Sequence, residues 1–500
     1  MNKKSLYLGG GFRDHQVLYM IPIIEGICSK KKITSIIFEN DISKKIYSKK
    51  IYSNFFKNFD FKSINQLQKK QNNIIIIIKT FFFSIVFFCL SFLINRKLLL
   101  NKSYTWFNNQ FFHSIWDTCI INNKKKIDKP ELVSRIKSSI LLAKKLNIIK
   151  LLKKNNTECA VIQHTVYQER FFFALLRKNK IDTIVQTKHV LLKQRKNEDY
   201  GFKHLDKRIF FDSYYHISKK KIDKYWLNFL KGKAKYLEAK IASKIRNKDK
   251  NYNKSKKTNV LMLHIFKDSP FTNIDRGRIF ADYYIWVVET LKIISKSSEN
   301  WVLRKHPSAD RWGEDQKNII KNILFKLFNN KIPKNIFFED NLKSNIDQFK
   351  QTKRLITFSG NSHLEAACFG IKPIIISKTT LCNFDKNYYF KPTSKIDYEN
   401  MILKGNCKKF TLNIKQQNIC KRILYLIHNT INFGEDINSF HVFRNDDKKI
   451  LNILFKKISN SLKKNYQNFF EIGFCIGSVY NQSLNKNYLR KFLKKNVKKD

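Results

Sequence analysis

Five hundred residues with 43% apolar content exceed one ordinary domain and suffice for two cores, which excludes a disordered chain or a small stapled scaffold. The formal charge of +58 favours anionic partners such as phosphates or acidic lipid. The lysines, however, are dispersed along the whole chain instead of clustering with aromatics, which argues against nucleic acid and for a largely solvated charge that biases the protein toward an anionic membrane surface. Nine cysteines, with no CxxC pair and no Cys/His spacing suited to zinc, read as small buried hydrophobes in a reducing compartment.

In chain order, Ser5 to Leu8 is a short strand, Gly9-Gly10-Gly11 a tight turn, Asp14 to Ser29 a helix and Ile33 to Phe38 the next strand. Lys3 and Lys4 before so short a strand do not make a signal peptide, so a cytoplasmic body is expected. Ile74 to Ile94 is apolar apart from Lys79, Thr80, Ser84 and Ser91. Roughly sixteen apolar residues against one lysine favour membrane insertion by several kcal/mol. A single crossing would nevertheless divide one sheet between two sides, since strands on both flanks of this segment are expected to pair. At roughly 100° per residue, Asn73, Thr80, Ser84, Ser91 and Asn95 share one sector, although Ile77 and Phe87 intrude. The favoured reading is a helix lying in the interface of the inner leaflet, ahead of a true span or a helix buried in protein.

The sheet pattern then resumes. Cys159 to Gln163 is a strand, Gln168 to Lys178 a helix and Thr183 to Gln186 a strand, with Arg208 to Phe211 as a further candidate. Lys219 to Arg246 reads as a long basic helix, and Asn247 to Lys257 as a polar connector without apolar period. The expected organisation is a first α/β domain over 1–246 carrying the hydrophobic insertion 74–94, a linker over 247–258, a second α/β domain over 259–446 and a basic helical tail over 447–500.

The second domain alternates regularly: strand Val260 to Phe266, helix Phe280 to Ser295, strand Trp301 to Arg304, helix Asp315 to Phe328, strand Ile336 to Phe338, helix Asn345 to Lys350 and strand Leu355 to Phe358. Short buried strands alternating with helices predict a parallel, doubly wound sheet, and such sheets bind ligands at the carboxyl ends of their strands. Two segments fall there. Ile356 to Ile376 reads as strand, polar turn, short helix and strand, so that Ser359, Gly360, Asn361 and Ser362 either cap the helix or hold phosphate, the two uses sharing one geometry. Glu365, a helical turn further on, reaches a ribose or simply complements the helix dipole. Arg304-Lys305-His306-Pro307 is a cationic strand end suited to a donor's phosphate or base, with an ordinary loop histidine as the bland alternative.

Lys305-His306-Pro307, Ser359 to Ser362, and Glu365-Ala366 followed by Gly370-x-x-Pro373 resemble the C-terminal half of GT-B glycosyltransferases of bacterial surface polysaccharide synthesis. The nearest likeness is to Kdo-transferase-like and capsule-biosynthesis proteins, with teichoic-acid polymerases more distant. His264 to Asp268 and Phe280 to Trp286 echo the opening of the same domain. The resemblance covers Asn259 to Ser377 and the first half only in outline. It implies two Rossmann-like domains facing a cleft, and transfer of a sugar from a nucleotide-activated donor to a surface-polysaccharide or lipid-linked acceptor at the cytoplasmic membrane face. It also implies work without metal or cofactor, because helix dipoles and basic side chains stabilise the departing nucleotide. Gly10 and Gly11 would let the acceptor approach, and Arg170 would hold an anionic acceptor unless it lies on a solvated helix face. Asp14 and His164 are the candidate bases if the anomeric centre is inverted, with His306 as a third catalytic candidate. Two other classes stay open: a CDP-polyol phosphotransferase of the teichoic-acid type, and a non-catalytic basic protein that binds nucleic acid.

Overall fold

The structure is a computed structural model that describes residues 4–9, 24–25, 27–29, 31–41, 44–45, 48, 58–69, 73–100, 106–124, 126–162, 166–187, 190–193, 217–233, 258–268, 279–339, 344–377, 382, 386–404, 410–430 and 474–475. Its first half comprises β1 (Ser5–Leu8), β2 (Ser35–Phe38), β3 (Asp60–Ser63), α1 (Ile64–Lys69), α2 (Asn73–Leu93), α3 (Arg96–Leu100), α4 (Trp106–Ile121) and α5 (Leu132–Lys154). It continues with β4 (Thr157–Ile162), α6 (Tyr167–Lys178), β5 (Asp182–Thr187), β6 (Val190–Lys193) and α7 (Lys219–Leu230). The second half comprises β7 (Thr258–Met262), α8 (Tyr283–Ser295), β8 (Trp301–Arg304), α9 (Gln316–Leu327), β9 (Ile336–Glu339), α10 (Asn345–Lys350), β10 (Thr352–Thr357) and α11 (Ser362–Cys368). β11 (Ile374–Ile375), α12 (Lys395–Leu403), α13 (Ile414–Thr430) and β12 (Phe474–Cys475) complete it.

Two sheets result. The first has the order β12-β6-β5-β4-β1-β2-β3, with β1 to β5 parallel and β6 antiparallel to β5. The second, β11-β10-β7-β8-β9, is parallel throughout. All four residues of β1, β2 and β8 are buried, as expected for strands covered by helices on both faces. Each strand order reverses direction once. From β1 the chain proceeds to β2 and β3 and then returns to β4 on the other side. From β7 it proceeds to β8 and β9 and returns to β10. The carboxyl ends of the β1/β4 and β7/β10 pairs are therefore the topological switch points, where such sheets open a crevice.

The doubly wound α/β class and the apolar helix inside the first domain are as expected. Several boundaries and elements differ. β7 stops at Met262, four residues short of the expected end, because Leu263 to Phe266 turn away at the sheet edge. α7 ends at Leu230, where Gly232 takes a positive φ of 71°. Helices α4 and α5 fill a stretch to which the hydrophobic pattern assigned no element. α4 buries Gln110, His113, Ser114 and Thr118 along with its apolar residues, and Lys145 and Asn147 of α5 are likewise buried, so neither shows a clean apolar stripe. Phe474–Cys475, within the expected helical tail, is a strand paired with β6.

Helix α2 is not a core helix. Its 20-residue apolar stretch Ile74–Leu93 has a hydropathy of 2.5, yet only 11% of that window is buried. Its polar sector faces the protein and not water: Asn147 Nδ2 donates to Thr80 Oγ1 (2.6 Å), and the Arg135 guanidinium donates to the Ser91 carbonyl. Phe87, which seemed misplaced in that sector, is buried edge-on against Phe171 at 5.4 Å.

Candidate functional site

At the second switch point, the loops after β7 and β8 are tied together by two buried polar side chains at the start of α9, Glu314 just before it and Gln316 as its first residue. Glu314 accepts from the Phe266 and Lys267 N–H groups (2.9 and 2.7 Å). Gln316 donates to the His264 carbonyl and accepts from His306 N–H, both at 2.8 Å. This clamp brings the half-buried rings of His264 and His306 to a centroid separation of 5.4 Å. His306 Nδ1 accepts from Ser308 N–H (3.1 Å), which places its ring proton on Nε2, while His264 Nδ1 lies 2.9 Å from Ile265 N and 3.4 Å from the Ile265 carbonyl oxygen. Burial, with the His264 ring beside it, pushes His306 down to about 3, so it stays a neutral hydrogen-bond donor across the physiological range.

On the other side of β7, β10 delivers the turn Ser359 to Ser362. Ser359 is buried, Asn361 exposed, and Asn361 makes no capping bond to α11. His363, which the sequence pattern did not single out, is buried here. Its Nδ1 bonds the Gly360 carbonyl (2.5 Å), Nε2 has no partner, and burial lowers it to about 4. α11 ends in a Schellman motif: Ile371 N–H bonds the Ala366 carbonyl and Gly370 N–H the Ala367 carbonyl, both at 3.1 Å, with Gly370 at a φ of +87°.

The remaining expected donor residues are placed differently. Arg304 is buried and donates to Glu339 (3.2 Å) and to Asn345 Oδ1 (3.1 Å). Glu365 is buried against Asn345 Nδ2 (3.2 Å); burial raises its carboxyl to about 7, offset in part by Asn345 and Arg304. Both face an interior polar network instead of an open crevice, because the residues that end β8 and begin α11 point back under the sheet edge. Lys305 is mostly covered and pairs with Asp310 (2.7 Å).

At the first switch point Gly9 follows β1. A Cβ there would stand 2.6 Å from the Tyr7 ring and 3.2 Å from Ile162, so the chain can turn at this point only without a side chain. Beside it lies a charge cluster the sequence pattern did not reveal, because its members come from three elements. Lys145 of α5 pairs with Glu39, just past β2, at 2.5 Å and with Glu169 of α6 at 2.6 Å. Burial opposes the ammonium, but the two carboxylates outweigh it and raise the Lys145 pKa; burial likewise raises Glu169. Tyr7 is buried next to them, its hydroxyl pKa pushed up by burial and by both carboxylates. Arg170 is neither a free anion receptor nor a solvated residue: it is fully buried and bonds Asp117 at 2.9 Å, joining α6 to α4. Gly10, Gly11, Asp14 and His164 lie outside the described residues.

The two edges face each other. Tyr167, the first residue of α6, donates its hydroxyl to Asp268 in the loop after β7 (2.6 Å), and Lys267 Nζ reaches the Lys124 carbonyl (3.1 Å). Arg96 adds a third tie, to Asp282 at 2.6 Å. Tyr167 holds a positive φ of 51°, a conformation that costs a non-glycine residue about 1 kcal/mol or more.

No family model and no curated protein sequence matches the chain. Among solved structures it is similar to Thermosulfurimonas dismutans KpsC, a beta Kdo 2,4 transferase, with 10% identity over 53% of this chain and 79% of that one and a TM-score of 0.33. It is also similar to Methanocaldococcus jannaschii UDP-GlcNAc 2-epimerase in complex with UDP-GlcNAc and UDP (14% identity, 85% and 99% coverage, TM-score 0.27) and to a glycosyltransferase from Rickettsia africae ESF-5 (12%, 94% and 100%, 0.24). Superpositions this loose carry no argument about activity. The class defined by the chain's own strand order and site is a pair of doubly wound α/β domains with opposed switch points.

Proposed function

We propose that this protein is a glycosyltransferase that moves a sugar from a nucleotide-activated donor, held by the second domain, to a surface-polysaccharide or lipid-linked acceptor presented by the first, at the cytoplasmic face of a membrane. The observation that carries this reading is the Tyr167–Asp268 bond, which sets the carboxyl edges of the two sheets against each other across one cleft. The donor's phosphate lies between the Ser359 to Ser362 turn and the Nε2–H of His306. Because that imidazole is uncharged, it stabilises the leaving phosphate by donating a hydrogen bond and does not protonate it. The acceptor hydroxyl enters beside Gly9, and its proton passes to a base of the first domain, Asp14 or His164 being the candidates if configuration inverts. No metal is required for this division of labour.

Membrane association is supported by α2. The ties from Asn147 and Arg135 bind it to α5, which carries Lys137, Lys144, Lys150, Lys153 and Lys154, so a crossing α2 would draw these cations into hydrocarbon. Lying in the interface avoids that cost. A thermal-shift screen with CMP, CDP, UDP and GDP tests the transferase reading: the donor's nucleotide at 100 times its dissociation constant stabilises by about 2.7 kcal/mol. No shift with any of the four rejects it.

A further inference from the structure

The first domain carries an open trough of about 840 Å³ between α1, α2 and α5, within the size range of ligand pockets. Its walls are chiefly Ile76, Phe81, Phe88, Leu141 and Ile148. The hydroxyls that line it have already donated their protons to their own helices, Thr80 to Ile76, Ser84 to Thr80 and Ser139 to Arg135, at 2.6 to 2.8 Å. The wall formed by α2 and the middle of α5 therefore matches hydrocarbon.

The two ends of this trough differ. Outward it is continuous with the exposed apolar side of α2 and with Ile136 and Ile140 of α5. Inward it ends at Glu39 and Lys145, with the exposed Lys144 at the rim. Glu39 stands at the carboxyl edge of the first sheet, where its N–H bonds the Leu8 carbonyl of β1 at 3.1 Å. Asn65 and Gln68 of α1 also line it, and Asn65 donates to Asp41, two residues past Glu39, at 2.9 Å, which sets it toward the same end. The trough thus joins an apolar surface to a switch point and gathers its polar groups toward that point, a shape and polarity that fit a single-headed amphiphile.

We propose that this trough takes one long hydrocarbon chain of the lipid-linked acceptor, drawn from the leaflet on which α2 lies, with the head group at the Glu39–Lys145 end beside the first switch point. The word acceptor rests on the transferase reading; the binding of the chain does not. Arranged so, the lipid's head projects toward Gly9 and the cleft while its tail stays out of water.

The test is photolabelling of the full-length protein on phosphatidylglycerol–phosphatidylcholine vesicles containing a phospholipid with a diazirine at the end of one acyl chain, followed by peptide mapping. Adducts are expected on Phe88, Leu141 and Ile148, inside the trough. Ser84→Trp, which fills the trough from its wall, reduces them at least tenfold while co-sedimentation with vesicles persists, and Ile140→Trp does the same should Ser84→Trp misfold. Adducts confined to Ile74, Phe82 and Phe92, which face outward, mean bilayer contact alone and overturn the proposal, as do trough adducts insensitive to both substitutions. The nucleotide screen, run alongside, separates the two ideas. A nucleotide shift without trough adducts overturns the trough and leaves the transferase, whereas trough adducts without any shift sustain the trough and remove the transferase.

Discussion

The two switch points share a topology and differ in chemistry. The second presents the neutral imidazole of His306, placed with His264 by the Glu314–Gln316 clamp, and a serine-rich turn. The first is built on charge, with an ammonium buried between two carboxylates and an apolar trough opening beside it. Neutral donors can meet a phosphate that brings its own charge, whereas a buried ion triad is rigid and keeps a carboxylate at the edge where an uncharged hydroxyl would enter. One topology thus supplies opposite electrostatic settings, from loops and a turn at one switch point and from helix residues Lys145 and Glu169 at the other.

This contrast can be broken most visibly at the membrane side. If α2 lies on a membrane as proposed, replacing the outward residues Ile74, Ile78 and Phe82 with serine removes up to about 2 kcal/mol of burial each, and binding to vesicles should weaken by several kcal/mol with folding unchanged. Vesicle flotation measures it, and a triple variant that still floats would remove α2 as the anchor. Lys145→Met leaves Glu39 and Glu169 facing each other without their cation, and a loss of about 3–5 kcal/mol in denaturant unfolding is expected. A loss under about 1 kcal/mol would show that the triad does not hold the first edge together.

In the second domain the expected effect is pH-dependent and lies at Glu365. Its folded carboxyl is raised from 4.5 to about 7, so its contribution is fully present below the unfolded value and is lost as pH rises through about 7. Glu365→Gln should therefore stabilise by up to about 3 kcal/mol at pH 8 and by nearly nothing at pH 4, read from melting curves at both values. A variant equally stable relative to the parent at both pH values would mean the carboxyl is not held protonated. The smallest effect is at the proposed donor side. His306→Ala should weaken nucleotide binding about tenfold, or 1.4 kcal/mol, and titration calorimetry should find no difference between parent and variant in how binding changes between pH 5 and 8, since burial pushes the His306 imidazole down to about 3.

Much of this architecture was legible in the sequence because buried parallel strands read as short apolar runs, and β8 and the Ile356 to Ile376 unit fall where those runs place them. The candidate site was legible only where its residues adjoin strands in sequence: His306 and the Ser359 to Ser362 turn stand at the strand ends their pattern indicates. Arg304 and Glu365 were readable as to position but not direction, since Asn345, which turns both inward, lies on another element. The Lys145 triad was not legible at all, because its three members are distant in the chain and a lysine inside a lysine-rich helix has no distinguishing context. His363 lacked a signal for a simpler reason: one histidine in the first turn of a helix is indistinguishable from a solvated one until its burial is known.

The attachment of α2 to α5 also sets an order of events during synthesis. α2 leaves the ribosome complete at Leu93, whereas the helix carrying Arg135 and Asn147 is complete only at Lys154, roughly sixty residues later. At about 5–20 residues per second that gap lasts several seconds. Throughout it the nascent chain displays a 20-residue apolar helix with a hydropathy of 2.5 and no partner yet made, the kind of segment that a targeting factor or a bare leaflet captures first. Any such capture would be settled before either sheet has closed.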